Sequence, residues 1–229
     1  GSCGKTTTYT LTYGGLLTIS GTGATTNFHS KLFPEWDPYK DCVREVIVEE
    51  GIEKIGSALF ARCNSIEKVT LPDSLRVMEQ YAFDGAVCVD KVVLPANLER
   101  MGTAVFRGAQ LKEVYFEGAI DEWFDINFEL SSNPLAVAGA DLYVLNEEGN
   151  YYKVEILEIP KHITKINAEQ FYKCTSIKFI YIHKDVTEIG YRAFVGCRHI
   201  LIYCQMNEIP VTWKPNWCDS SATINMGYK

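Results

Sequence analysis

The chain has 229 residues, of which 47% are hydrophobic and 22% charged, and it carries a formal net charge of −7. That length allows one or two domains, and the composition excludes a disordered chain. The acidic balance lacks the basic footprint that nucleic acid requires, and no stretch approaches the ~20 apolar residues of a membrane-spanning helix.

Residues 1–42 read as an N-terminal β-hairpin cap. Tyr9-Thr10-Leu11-Thr12 and Leu17-Thr18-Ile19 alternate apolar and polar side chains, and Gly14-Gly15 supplies the turn between them. Pro34, Trp36 and Pro38 fall in the loop that leads on.

Residues 43–117 carry a repeat. Phe60, Phe83, Phe106, Phe171 and Phe194 recur in matching contexts, at gaps of 23, 23, 65 and 23 residues. Each unit opens with an alternation such as Val69-Thr70-Leu71, the signature of a short half-buried strand. Pro72, Pro95 and Pro160 close it, because proline cannot donate to a ladder. A turn and an apolar pair follow (Leu75 with Val77, Leu98 with Met101, Ile163 with Ile166), then a segment long enough for one helical or 3-10 turn. One unit cannot bury its apolar face alone. Stacking unit on unit builds a solenoid of short parallel strands about 4.8 Å apart.

The five phenylalanines are expected to form an interior column. Three residues after each stands a small one: Cys63, Ala86, Ala109, Cys174 or Cys197. Free cysteine behaves as a small hydrophobe, so Cys63, Cys174 and Cys197 read as inert core thiols. Five of the eight cysteines lie elsewhere, at Cys3, Cys42, Cys88, Cys204 and Cys218, with no C-x-x-C pair. Cys204 and Cys218 are close enough in sequence to bridge, although connectivity cannot be read from sequence.

Residues 118–154 replace the body of a fourth repeat. Positions 121–126 are expected to form a short helix, with Ile120, Trp123 and Phe124 as its apolar face. Positions 141–145 restore a strand, and 146–150 read as a polar turn. The repeat resumes over 155–203, and residues 204–229, with Trp213 and Trp217, read as a C-terminal cap. No linker separates these parts, so a single domain is expected.

The unit resembles the 23-residue leucine-rich repeat of the BspA-like, or Treponema-type, family, L-x-x-L-x-L-P…L-x-x-I-G-x-x-A-F-x-x-C. Ile55-Gly56 with Phe60 to Cys63, and Ile189-Gly190 with Ala193-Phe194 and Gly196-Cys197, carry the likeness best. The match covers residues 43–117 and 155–203. Leu16 to Gly23 resembles the hairpin that precedes such arrays, residues 115–145 resemble a variant module, and the segment with Trp213, Trp217 and Gly227 resembles the closing one. The repeat before Leu111 is one residue short, and Glu158 puts a charge on an outward strand position. The resemblance implies an α/β repeat solenoid, a leucine-rich-repeat right-handed superhelix of short parallel strands and short helical or 3-10 turns. It also implies a secreted or surface-attached bacterial protein without a common enzymatic activity, some relatives adhering to host proteins or other microbes. Residues 1–20 lack a charged start followed by an apolar block, so a leader is expected to have been removed.

Other motifs are weaker. Gly4-Lys5-Thr6 lacks the preceding glycine and strand of a phosphate-binding loop. Gly21 and Gly23 make half of a dinucleotide fingerprint, and a turn is the simpler reading. His29, His162, His183 and His199 form no H-E-x-x-H pair. The carboxylates are scattered, with Glu49-Glu50 and Glu147-Glu148 as adjacent solvated pairs. No catalytic residue, metal or cofactor is expected. The outward strand positions are more informative. One column runs Ile47, Thr70, Val93, Tyr115, Glu158, Tyr181, and the column two residues earlier runs Glu45, Lys68, Lys91, Glu113, Ile156, Phe179. Tyr115, Ile156, Phe179 and Tyr181 are large apolar side chains on a face that should be open, which suggests contact with a partner. The alternative is that residues 118–154 fold over them. The expected partner is a protein or glycan, such as host extracellular matrix or another microbe. The competing reading is a structural spacer of a larger surface protein.

Overall fold

The structure is a computed structural model that describes residues 1–129 and 131–229. Alternating strands build its first side. Thr7–Leu11 pairs antiparallel with Leu16–Gly21, which then pairs parallel with Glu45–Val48. The hairpin thus supplies the first rung of a parallel array and covers its end. Three four-stranded sheets follow one another along this side. The first runs to Lys68–Thr70, with Glu45 opposite Lys68. The second contains Lys91–Leu94, Glu113–Phe116, Asp141–Leu145 and Tyr151–Lys153. The third contains Ile156–Glu158, Phe179–Ile182, Leu201–Cys204 and Thr223–Met226. The repeat that is one residue short still keeps its register. Glu113 stands opposite Lys91 and Phe116 opposite Leu94, so the turn, not the strand, absorbs the deletion. A slip within the strand would have exchanged its two faces.

Shorter strands make a second side. Gly23–Ala24, Ile52–Ile55, Val77–Met78, Arg100–Met101 and Asn127–Phe128 form one parallel sheet, and Lys165–Ile166 pairs with Glu188–Ile189. The buried partner of Leu75 is Met78, while Val77 is half-exposed. Sequence alternation favours Val77, but the chain turns between the two positions. The buried spacing is therefore three residues, as in Leu98 with Met101.

The third side is laddered without being a strand or a regular helix. Phe60 N–H donates to the Ala82 carbonyl at 2.8 Å, Phe83 to Val105 at 2.9 Å and Phe171 to Ala193 at 2.9 Å. Left-handed backbone recurs with the period, at Ala58, Tyr81, Ala104, Glu169 and Arg192. A 3-10 helix, Asp37–Cys42, precedes this ladder.

An aromatic spine fills the interior. Trp36 stacks on Phe60 at 6.3 Å, Phe60 on Phe83 at 4.8 Å, and Phe83 on Phe106 at 5.2 Å. Further on, Phe124 meets Phe171 at 5.3 Å, Phe171 stacks on Phe194 at 5.6 Å, and Trp217 closes the row at 6.1 Å. Cys63, Ala86, Ala109, Cys174 and Cys197 are buried beside it. All eight cysteines are free thiols, Cys204 and Cys218 among them.

Between the two runs of repeats the ladders break. A short helix spans Ile120–Trp123, one residue earlier than the sequence suggests, and another spans Leu135–Ala138. Asp141–Leu145 continues the parallel array, but the chain then doubles back antiparallel as Tyr151–Lys153. Side chains stitch the gap. Trp123 Nε1–H donates to the Gln170 carbonyl at 3.3 Å, and Gln170 Nε2–H donates to the Trp123 carbonyl at 2.7 Å. Asn133 Nδ2–H donates to the carbonyls of Glu169 and Gln170 at 2.9 and 2.7 Å, while its Oδ1 accepts from Leu135 N–H at 3.0 Å. Asn133 and Gln170 are wholly buried.

Candidate binding face

The strand register sorts the outward side chains of the first side into rows. Among the early repeats one row is charged: Glu45 opposite Lys68, then Lys91 opposite Glu113 and Glu113 opposite Asp141. Lys68 Nζ lies 2.6 Å from Glu45 Oε1. In the last sheet the equivalent row is apolar, with Ile156 opposite Phe179 and Phe179 opposite Leu201. Ile156 is 55% exposed, and Phe179 and Leu201 are half-buried. Ion pairs rim this row, as Lys178 Nζ meets Glu155 Oε1 at 2.6 Å. The chain thus presents two unlike faces along one side.

The next row carries tyrosines in two stacks. Tyr115 and Tyr143 lie 4.5 Å apart and nearly parallel, and Tyr151 from the returning hairpin strand meets Tyr115 edge-on at 5.0 Å. A cation sits at each end. Lys91 Nζ is 3.9 Å from the Tyr115 ring centre and Lys153 Nζ 6.0 Å from that of Tyr143. Burial and the neighbouring Glu113 carboxylate push the Tyr115 phenol up. The second stack pairs Tyr181 with Tyr203 at 5.0 Å, and Tyr228 leans against both at 5.4 and 5.6 Å.

A cleft of about 630 Å³ opens beside the second stack, within the range of ligand sites. Ile156, Glu158, Tyr181, Tyr228 and Asp121 contribute to its walls, together with His162 and His183. His183 is fixed by the backbone: Nδ1 accepts from Asp185 N–H at 3.3 Å, so Nε2–H is the donor to the Pro160 carbonyl at 3.0 Å. Both ring nitrogens are therefore engaged, and the side chain acts as a turn brace. His162 Nδ1 lies 3.9 Å from Asp121 Oδ2. Among the described residues no three His, Cys, Asp or Glu side chains converge as a metal site.

Of the four candidate face residues, the structure brings Ile156, Phe179 and Tyr181 onto one sheet. It places Tyr115 in another, where the hairpin strand Tyr151–Lys153 lies alongside. Tyr143, Tyr203 and Tyr228 belong to the same surface and escape the sequence reading. Tyr203 had a signal: Leu201–Cys204 repeats the pattern of Phe179–Ile182 at a spacing of 22. Tyr143 had one as well, as the outward residue of the strand read over 141–145, whereas Tyr228 lies beyond the periodic text and had none.

Stacked coils built on short parallel strands, an aromatic interior and an open tyrosine-bearing face define a leucine-rich-repeat solenoid. Residues 37–133 and 149–215 match the BspA type leucine rich repeat region in six copies, and the chain belongs to that family. No curated protein matches the sequence. Among solved structures the chain is similar to a leucine-rich repeat protein from Eubacterium ventriosum, at 21% identity over 97% of this chain and 76% of that one, with a TM-score of 0.41. It is also similar to the T. pallidum leucine rich repeat protein, at 18% identity over 86% and 88% of the two chains, with a TM-score of 0.48. A leucine rich cell surface protein from Faecalibacterium prausnitzii aligns at 16% identity over 91% and 76%, with a TM-score of 0.35.

Proposed function

We propose that the protein is a non-enzymatic, adhesin-like interaction module of the bacterial surface or its surroundings, which holds a protein or glycan partner on the last sheet. Membership of the BspA-type repeat family supports the placement. No helix among the described residues is long and apolar enough to cross a membrane. The observation that carries the reading is the apolar row Ile156, Phe179 and Leu201 beside the tyrosine stack, on a sheet face where the earlier repeats carry ion pairs. A face with so much apolar surface left open is the expected form of a contact site.

The test is a binding screen of the purified chain against immobilised matrix proteins, mucins and glycans. The double variant Phe179→Ala/Tyr181→Glu runs beside it, after circular dichroism shows an unchanged fold. Binding by the parent that the variant loses supports the face. Binding that the variant keeps moves the site elsewhere, and no binding to any surface favours a spacer.

A further inference from the structure

The two tyrosine stacks differ at their ends. In the first, the chain supplies its own cations, Lys91 over Tyr115 and Lys153 over Tyr143. In the second, no lysine or arginine among the described residues lies over Tyr181, Tyr203 or Tyr228. The register partner of Tyr181 on the side away from Tyr203 is Glu158. The cleft touches Glu158 and Tyr181 but not Tyr203, so it opens on the uncovered side of the stack. Glu158 is exposed and has no ion-pair partner among the described residues. Asp121 adds a second carboxylate to the walls and Lys161 a single ammonium.

We infer that this cleft takes an arginine side chain of a protein partner, its guanidinium laid on the open side of Tyr181 and paired with Glu158. The inference rests on the binding-face reading and narrows its partner to a protein with an exposed arginine. A guanidinium is planar, so it stacks on a tyrosine ring while its edge presents a fork of donors to a carboxylate. An ammonium satisfies the charge without the stacking. A neutral sugar ring could cover the tyrosine but would be indifferent to the charge on Glu158. The cleft is larger than one side chain, so the segment carrying the arginine enters as well, with Ile156 and Pro160 as its apolar contacts. The net charge of −7 favours the approach of a basic partner.

The probe is an arginine-bearing hexapeptide amide, compared with the same peptide carrying lysine or the neutral isostere citrulline, and titrated by fluorescence polarisation against the full chain. The arginine peptide is expected to bind about tenfold more tightly than the citrulline peptide, with lysine between them. Glu158→Gln and Tyr181→Leu should each weaken it about tenfold, whereas Tyr115→Leu in the other stack should leave it unchanged. Both altered side chains are at least partly exposed, so the fold should survive, and circular dichroism checks this. Binding should also weaken as salt rises from about 50 to 300 mM. Equal binding of arginine and citrulline peptides overturns the inference, as does no binding of either at millimolar concentration. A partner from the screen that is lost in Phe179→Ala/Tyr181→Glu but indifferent to Glu158→Gln would keep the face and remove the arginine. A neutral glycan that binds Glu158→Gln as well as the parent does the same.

Discussion

At the scale of single residues, the buried thiols are the clearest case of position setting chemistry. Cys63 is 1% exposed, and burial pushes its thiol from the ordinary 9.0 up to about 12. Burial raises Cys174 and Cys197 as well, and Cys197 Sγ also donates to the Phe171 carbonyl at 3.2 Å. The thiolate is the nucleophile, so these side chains should be silent at neutral pH. Cys42 and Cys88 are exposed and should be the two that iodoacetamide labels quickly in the native chain. The buried thiols should react only after unfolding, and mass mapping of the alkylated peptides reads the order. The same shift has a consequence for stability. Above pH 9 the unfolded chain releases the Cys63 proton while the folded chain keeps it, so the folded state binds more protons and stability falls as pH rises. The loss begins near the unfolded value of 9.0 and runs up through about 12, with no contribution at pH 7. Cys63→Ala, which places the residue found at Ala86 into the same column, should lessen the fall in urea midpoint between pH 8 and pH 10.5.

At the scale of the element, the second strands are held by close approach of backbones. Gly102 N–H donates to the Met78 carbonyl at 2.8 Å, and a Cβ on Gly102 would stand 2.6 Å from Gln80 N. The neighbouring turn has Glu79 at this level, and its carboxylate bridges Lys54 at 2.5 Å and Arg100 at 2.7 Å. Gly102→Ala should therefore cost about 1–3 kcal/mol, the usual range for forcing atoms into a packed site, seen as a lower urea midpoint. Parent-like stability would mean that the two backbones can part without loss. The element scale also separates what the sequence disclosed from what it hid. Period and alternation disclosed the parallel solenoid, because stacking identical coils puts identical positions in register: Val46 opposite Val69, Val92 opposite Val114. The aromatic candidates on the last sheet were visible for the same reason. The returning strand Tyr151–Lys153 was hidden because three exposed residues after a polar turn carry no alternation of burial. Asn133 was hidden because an asparagine beside a proline reads as a turn, and only the fold shows its amide serving three backbone groups.

At the scale of the whole molecule, a solenoid is stabilised mainly between neighbours, so its cooperativity depends on every junction being sound. The junction near Asn133 is unlike the others. On the first side the returning strand Tyr151–Lys153 flanks Asp141–Leu145, and on the second side the sheet ending at Asn127–Phe128 is separate from the pair that begins at Lys165–Ile166. Some backbone bonds still cross, such as Thr175 N–H to the Ala140 carbonyl at 3.0 Å. One aromatic contact also crosses, Phe124 on Phe171 at 5.3 Å. Asn133 carries three of the polar contacts in the gap. Asn133→Ala would leave the buried Leu135 N–H without its acceptor, at about 1–3 kcal/mol, while the Glu169 and Gln170 carbonyls would each keep one donor, Tyr172 N–H at 3.1 Å and Trp123 Nε1–H at 3.3 Å. The penalty falls on the interface between two blocks of repeats rather than inside either block. The expected result is a change of cooperativity as well as of midpoint. The parent should unfold in urea as one transition, with hydrogen exchange in Glu45–Val48 and Phe179–Ile182 rising together. In the variant the two segments should lose protection at different urea concentrations. If they still lose it together, the remaining contacts across the gap, the Trp123–Gln170 hydrogen bonds, the Thr175–Ala140 bond and Phe124 on Phe171, are enough to couple the blocks, and the Asn133 contacts add stability without transmitting it.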